Sequence, residues 1–373
     1  MAKTQFLYLD QPTMVKAGVA DSAHCVEVLD EMFKLVSAGD YIMGGQSGNE
    51  HGVRINFPDH PQFPGMPANG PDRRFMAMVA YLGGRFHAAG VKWYGSNVAN
   101  PARGLPRSIH MIILNDPDTC EPIAIMDGTI ISSMRTGCVP GVGVKYLANP
   151  DAKTVSCIGT GPIGRSCLSG IMVEAKKVDT VSIFDINPDN AAKFAEMAEK
   201  EFKVKTVICE TAEECVRAGD IISVAASRLR PVIVKDEWLK AGSTLILTGN
   251  CRMDASYVLS SKIVFDNPKM HKQYMEDAHR SPKGVQAAYD YLMGGDIYRL
   301  IDAGKLPPME QQIGLGDIAL GKAVGRTSPE DRVVFQTGGM PVEDVAWAYE
   351  TYVQAKAKGL GQWLTLWDEP YAK

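Results

Sequence analysis

Three spaced glycines in the run Gly159-Thr160-Gly161-Pro162-Ile163-Gly164 constrain this 373-residue chain more than any other segment. Spaced glycines alone say little, because many turns need them. Here the run follows the apolar stretch Val155–Ile158 and opens a helical pattern that reaches Glu174. The next strand-like run, Thr180–Asp185, ends in an acid. Gly159 permits a tight turn, and Gly161 lets the backbone approach a pyrophosphate. Gly164 lets helix and strand pack closely, so the helix N-terminus aims its free N–H groups at phosphate. Asp185 is placed to accept hydrogen bonds from the adenosine ribose hydroxyls. Its neighbours Ile186-Asn187-Pro188 supply no cation to offset its repulsion of a 2′-phosphate. The pattern predicts a Rossmann domain that takes NAD in preference to NADP.

The surrounding rhythm agrees. Strand-like runs at Val204–Cys209, Asp220–Ala226, Ser243–Thr248 and Lys262–Asp266 alternate with short helical patterns, one opened by Thr211-Ala-Glu-Glu214. These strands are apolar throughout, as in a parallel sheet covered on both faces. Residues 1 to about 130 read differently. A helix from Ala20 to about Ala38 is followed by an irregular, Gly- and Pro-rich excursion over 44–71. Alternating runs at Phe75–Tyr81, Gly90–Tyr94, His110–Asn115 and Pro122–Met126 then predict a mostly antiparallel sheet. A last amphipathic helix, Val342 to about Lys358, is expected to pack back onto that sheet. The fold class is therefore α/β: a Rossmann domain plus an α+β substrate-binding and dimerisation domain completed by the C-terminal helix. The expected division assigns 131–324 to the former and 1–130 with 325–373 to the latter.

Composition removes several alternatives. A net charge of −4 lacks the concentrated basic face that nucleic acid or an anionic membrane needs. No run of about 18 apolar residues exists to span a membrane. The eight cysteines form no C-x-x-C pair, and the seven histidines show no metal-ligand spacing, so no metal is expected. The N-terminal residues lack the apolar core of a signal peptide. A reducing cytoplasm is the expected location.

Four cations, Arg54, Arg74, Lys92 and Arg135, lie in or beside the N-terminal region and are the candidate substrate-binding residues. An arginine at a domain junction can hold an α-carboxylate through two parallel hydrogen bonds. Lys92 sits in Ala-Gly-Val-Lys-Trp-Tyr-Gly, where apolar neighbours lower an amine pKa and suit it to proton transfer. On the nucleotide side the expected contacts are Gly159, Thr160, Gly161, Pro162, Ile163, Gly164 and Asp185. Ala226 at a strand end and Gly339 in the Gly338-Gly339 turn complete them.

The segments Gly90-Val-Lys92-Trp-Tyr-Gly-Ser96, Ile112-Ile-Leu-Asn-Asp-Pro117, Ile130-Ile-Ser-Ser-Met-Arg135-Thr136 and Gly339-Met-Pro-Val-Glu-Asp344 resemble the ornithine cyclodeaminase/mu-crystallin family over nearly the whole chain. Their texture is similar to its branch of N-(2-amino-2-carboxyethyl)-glutamate dehydrogenases in the staphyloferrin B pathway. The resemblance implies a homodimer, a small amino- or imino-acid substrate held by Arg74, Lys92 and Arg135, and a cofactor or substrate contact from Thr136. It also places Glu343 and Asp344 in the C-terminal motif. Three positions depart from the family: Val79 follows Met78 where proline is usual, Gly137-Cys138 follow Thr136 where alanines are usual, and Asn250 stands in the register of the cyclodeaminase aspartate. An amide cannot take a proton from a δ-amine, so that role falls to Asp254 only if a shortened loop carries it inward. The expected activity is NAD-dependent dehydrogenation of an amino acid, or reduction of the matching imine, at the carbon bearing nitrogen. Lys92 and Asp254 are the catalytic candidates. Two alternatives stand beside it: an ornithine cyclodeaminase that recycles NAD internally, and a mu-crystallin-like protein that binds nucleotide and a small ligand without turnover.

Overall fold

The computed structural model describes residues 3–226 and 231–372, in two compact units. One unit comprises the chain up to Asp21, Gly39–Arg135, and the part from Met340 onward. The other comprises Ser22–Ala38 and Thr136–Gly339.

The first unit is built on an eight-stranded sheet. Its strands run in the order Gln362–Trp367, Thr4–Leu9, Pro122–Asp127, Ser108–Asn115, Ala88–Ser96, Arg74–Leu82 and Tyr41–Met43, and Val53–Asn56 also pairs with Arg74–Leu82. The centre is an antiparallel meander, and Thr4–Leu9 joins Pro122–Asp127 in parallel. Side chains alternate as the pleat requires. Met76, Met78, Ala80 and Leu82 are buried, whereas Phe75 and Val79 face outward. In register with them, Lys92 and Tyr94 lie on the inner face and Trp93 on the outer. The strand Val53–Asn56 interrupts the irregular stretch expected over 44–71.

Helix Pro341–Ala357 packs on this sheet, and Trp347 donates its indole N–H to the Val19 carbonyl at 3.2 Å. Its pattern reads as amphipathic, yet the polar residues Glu343, Asp344, Glu350 and Thr351 are buried with the apolar ones. They can be buried because each finds a partner inside the unit: Arg135 and Lys92 for the first two, Arg85 for Glu350 and the Trp347 carbonyl for Thr351.

The second unit holds an eight-stranded, all-parallel sheet. Its order is Lys205–Ile208, Thr180–Phe184, Thr154–Ile158, Ile221–Val224, Thr244–Leu247, Val333–Gln336, Lys262–Phe265 and Ile313–Gly314. Two expected boundaries move. Val333–Gln336, which the sequence pattern assigned to the other domain, enters this sheet because all four residues are buried and need cover on both faces. Helix Ser22–Ala38 also belongs here: a Cβ on Gly316 would stand 2.2 Å from the Phe33 carbonyl oxygen, and Asp30 bonds Lys145 at 3.0 Å and Tyr146 at 2.7 Å.

Helix Thr129–Leu147 crosses helix Pro162–Glu174 at close range. A Cβ on Gly137 would lie 2.2 Å from Ser166 Cβ, and one on Gly170 would lie 2.4 Å from the Gly137 carbonyl oxygen. This crossing explains the glycine after Thr136, since a side chain at 137 would collide with Ser166. Gly170→Ala is expected to destabilise the protein by about 2 kcal/mol through overpacking, read as a lower urea midpoint. An unchanged midpoint would mean that the two helices separate at no cost.

Candidate active site

Two cations and two carboxylates meet on the inner face of the antiparallel unit. Lys92 sits mid-strand, where alternation points it inward, and Arg135 comes from the first turns of helix Thr129–Leu147. Glu343 and Asp344 come from the first turn of helix Pro341–Ala357. Lys92 Nζ lies 2.7 Å from Asp344 Oδ2 and donates to Ser132 Oγ at 3.2 Å. Arg135 donates from Nε to Asp344 Oδ1 at 2.9 Å and from Nη1 to Glu343 Oε2 at 2.6 Å. All four are buried. Asp344 bridges the two cations, and this compensation makes their burial tolerable.

Burial, with Arg135 beside it, pushes the Lys92 amine down to about 8 despite the opposing pull of Asp344. Burial likewise favours deprotonation of Arg135, but Asp344 and Glu343 outweigh it and hold the guanidinium above its usual range. Burial favours protonation of Asp344, and the two cations overcome that and keep its carboxyl below the usual range. Lys92 is therefore the member of the cluster whose proton leaves near neutral pH.

Tyr94 and Arg74 extend this face. Arg74 pairs with Asp72, donates from Nη2 to the Tyr94 hydroxyl at 3.4 Å, and keeps its Nε buried without a partner. Arg54 lies on the strand Val53–Asn56 opposite Met76 and is exposed. The structure thus brings Lys92 and Arg135 together, holds Arg74 beside Tyr94 next to them, and leaves Arg54 at the solvent-facing edge strand.

In the parallel unit two of the three glycines in the turn are required by close packing. Gly159 has φ +90°, and a Cβ there would lie 2.9 Å from the Ala225–Ala226 backbone. A Cβ on Gly164 would fall 2.1 Å from the Gly159 carbonyl oxygen. Gly161 is different: a Cβ there meets nothing within 4 Å, and Gly161 caps helix Pro162–Glu174 without a side-chain hydrogen bond. The first N–H groups of the helix, starting after Pro162 and including Ile163, consequently face an open cradle. Asp185 braces this turn. Its Oδ2 accepts from Thr160 N at 2.8 Å and Thr160 Oγ1 at 2.7 Å, and its Oδ1 accepts from Asn187 N at 2.9 Å. Thr136 is half-buried on the helix that crosses this one.

The turn Gly338-Gly339 has a support that sequence reasoning missed. Asp266, fully buried, accepts from Gly338 N at 2.6 Å and Gly339 N at 3.0 Å through Oδ2. Its Oδ1 lies 2.7 Å from His271 Nε2, and His271 Nδ1 lies 2.5 Å from the Tyr298 hydroxyl. Burial raises the Asp266 pKa, but His271 and the two glycine N–H groups more than reverse it, leaving the carboxyl below its usual range. The Gly339 N–H is thereby committed to Asp266. The acid ending strand Lys262–Phe265 was the one legible signal, since Asp185 closes a strand in the same way.

Asp254 does not fit a catalytic role. It is exposed, it precedes helix Ala255–Leu259, and its Oδ2 accepts from Asp236 N at 2.9 Å. The shortened segment seats it on that neighbouring backbone. Asn250 is buried, with its amide nitrogen 3.4 Å from the Asp290 carbonyl oxygen. Among the described residues, no group of three or more His, Cys, Asp or Glu side chains is placed to hold a metal, and no helix is long and apolar enough to cross a membrane.

The family model for ornithine cyclodeaminase/mu-crystallin proteins matches residues 19–359. The chain belongs to this family. A curated relative, the N-((2S)-2-amino-2-carboxyethyl)-L-glutamate dehydrogenase of Staphylococcus aureus, is 27% identical over 369 residues, covering 97% of this chain and 99% of its own. The alanine dehydrogenase of Archaeoglobus fulgidus is 29% identical over 290 residues, or 76% and 81% of the two chains. Among solved structures, the Thermococcus litoralis Δ1-pyrroline-2-carboxylate reductase in complex with NADH and L-proline matches with a TM-score of 0.76 and 27% identity, over 96% of this chain and 99% of that one.

Proposed function

We propose that this member of the family is an NAD-dependent oxidoreductase that acts on the carbon–nitrogen bond of a small amino or imino acid. The observation that carries the reading is the buried Lys92–Asp344–Arg135 cluster, an amine tuned toward neutral pH beside a fixed guanidinium. The open cradle at Gly161 supports the nucleotide half. NAD, when bound, supplies the hydride acceptor for oxidation and, once reduced, the donor for the reverse reaction. The chain's own residues do the rest. Helix Pro162–Glu174 offers its N-terminal N–H groups to the pyrophosphate, and Asp185, which already braces the turn, keeps one Oδ1 lone pair for a ribose hydroxyl and disfavours a 2′-phosphate. Arg135 Nη2, which neither Glu343 nor Asp344 engages, and the unpartnered Arg74 Nε are the donors for a substrate α-carboxylate. Lys92 Nζ takes a proton from the substrate nitrogen in oxidation and returns it in reduction.

The cyclodeaminase reading is disfavoured by Asn250, an amide that cannot act as a base, and by Asp254, whose carboxylate is engaged by the Asp236 N–H. The binding-only reading differs in one respect, turnover, and the Lys92 substitution below separates it.

The outer face of the antiparallel sheet supports a homodimer. Ile42, Val53, Ile55, Phe75, Val79, Trp93, Ile109 and Met111 are all exposed there, and Phe75 stacks on Trp93 with centroids 5.6 Å apart. An apolar depression of about 560 Å³ lies among Ile42, Val79, Tyr81 and Val91. A contiguous apolar face of this kind marks an association surface. Free thiols at all eight cysteines support a reducing compartment, the cytoplasm.

Gly161→Val is expected to fold normally, because its Cβ meets no protein atom, yet to bind NADH about tenfold or more weakly by fluorescence titration. Unaltered affinity would refute the placement of the pyrophosphate. The Lys92 ionisation gives opposite pH profiles for the two directions. Neutral Lys92 is the base, so kcat/KM for amine oxidation should rise with pH through about 8. Protonated Lys92 is the acid, so imine reduction should fall over the same range. Lys92→Met should lose about 100-fold or more in kcat and lose this ionisation while keeping NADH affinity. A profile unmoved by the substitution removes Lys92 from proton transfer. Finally, Trp93→Glu should shift a dimeric wild type toward monomer in sedimentation velocity. A monomeric wild type would rule out the dimer.

A further inference from the structure

One titratable side chain on the inner sheet face has no task in the scheme above. His110 is directly opposite Tyr94 in the sheet register, with ring centroids 4.7 Å apart, and Tyr94 lies 5.7 Å from Lys92 Nζ. The backbone that carries the imidazole is pinned from behind. Its backbone N–H donates to Thr129 Oγ1 at 3.2 Å, its carbonyl accepts from Gly128 N at 2.9 Å, and a Cβ on Gly128 would stand 2.9 Å from His110 Cβ. Yet both ring nitrogens are shielded from solvent, and beyond a weak approach to the Gly128 backbone neither makes a hydrogen bond of ordinary geometry. Leaving a buried polar group unmade costs about 1–3 kcal/mol. A fold that pins the residue's backbone, stacks its ring near Tyr94 and leaves both nitrogens poorly matched has the features of a site completed by a ligand.

The charge state narrows what that ligand offers. Burial, with the Lys92 charge next, pushes the imidazole down to about 4; Arg135 adds to this, and Asp344 and the Gly128 backbone oppose it. His110 is therefore neutral at physiological pH and carries one N–H donor and one bare nitrogen. Lys92 and Arg135 together act on the ring more strongly than Asp344 offsets, so the field there disfavours a second ammonium and favours an oxygen acceptor.

Building on the proposed amino-acid reading, we infer that His110 is a specificity-determining residue that contacts the substrate, donating its N–H to a carboxylate or carboxamide oxygen on the side chain or N-substituent, beyond the α-carboxylate. The preferred substrate is then an oxygen-bearing amino or imino acid. Alkyl amino acids of the same length and diamino acids are discriminated against.

The test uses the whole protein with NADH present, so that amino acids bind without being oxidised. L-glutamate, L-glutamine, L-norvaline and L-ornithine are titrated by calorimetry into wild type, His110→Leu and His110→Gln. Wild type should bind glutamate or glutamine about tenfold or more tighter than norvaline, with ornithine weakest; which of the first two wins distinguishes carboxylate from carboxamide. His110→Leu should collapse the preference to about twofold, and His110→Gln, which keeps a donor, should restore part of it. In wild type, the ¹⁵N signals of the imidazole should move on adding the preferred ligand, a readout that needs no variant to fold. Equal affinity for norvaline, a preference for ornithine, a ranking unchanged in His110→Leu, or unmoved ¹⁵N signals would each overturn the inference. Failure of NADH itself to bind would count against the nucleotide reading alone, because the same titrations without nucleotide still report on His110.

Discussion

The bridging carboxylate of Asp344 is the interaction on which the antiparallel unit depends. Lys92 and Arg135 are both buried, and either charge alone inside protein would be prohibitively costly. Asp344 contacts both, Glu343 adds a second anion to Arg135, and the four groups arrive from a strand and two helices. Their neutrality fixes the start of helix Pro341–Ala357 against the sheet. It also creates the one asymmetry that chemistry can use. The guanidinium keeps its proton, and the amine, desolvated and repelled by its cationic neighbour, gives its proton up near pH 8. Stability and reactivity share one set of contacts.

The parallel unit works through backbone rather than charge. At Gly159 and Gly164 the missing side chain is a packing requirement, whereas at Gly161 it leaves open space for a ligand. Asp266 plays for the Gly338-Gly339 turn the part that Asp185 plays for the first turn, fixing backbone N–H groups with a buried or half-buried carboxylate. In both places a carboxylate at a strand end orders the loop that follows the edge of the sheet. Such preorganisation is what a site for a long, charged ligand requires.

Much of this was legible before the fold was seen, and the reasons are local. The glycine spacing, the apolar strands and the acid at Asp185 each reflect a constraint acting within a few residues. The pleat period put Lys92 among buried neighbours. The misreadings share a different cause. Helix Pro341–Ala357 looked amphipathic because Glu343, Asp344 and Glu350 are charged, and only their partners from distant segments show that they are inside. Asp254 looked available for catalysis, and a backbone N–H at Asp236 holds it at the surface. His110 looked like any structural histidine until its poorly matched nitrogens were seen.

By itself, then, the order of residues determined the two kinds of sheet, the nucleotide turn and the set of cations from which the site is drawn, because hydrophobic period and glycine geometry are short-range properties. Only the tertiary structure decided which charges neutralise one another, where Val333–Gln336 and helix Ser22–Ala38 belong, and which polar atoms are left without a partner. Those outcomes depend on contacts between residues hundreds of positions apart, such as Arg135 and Asp344, whose strength comes from exclusion of water and so exists only once the chain has closed around them.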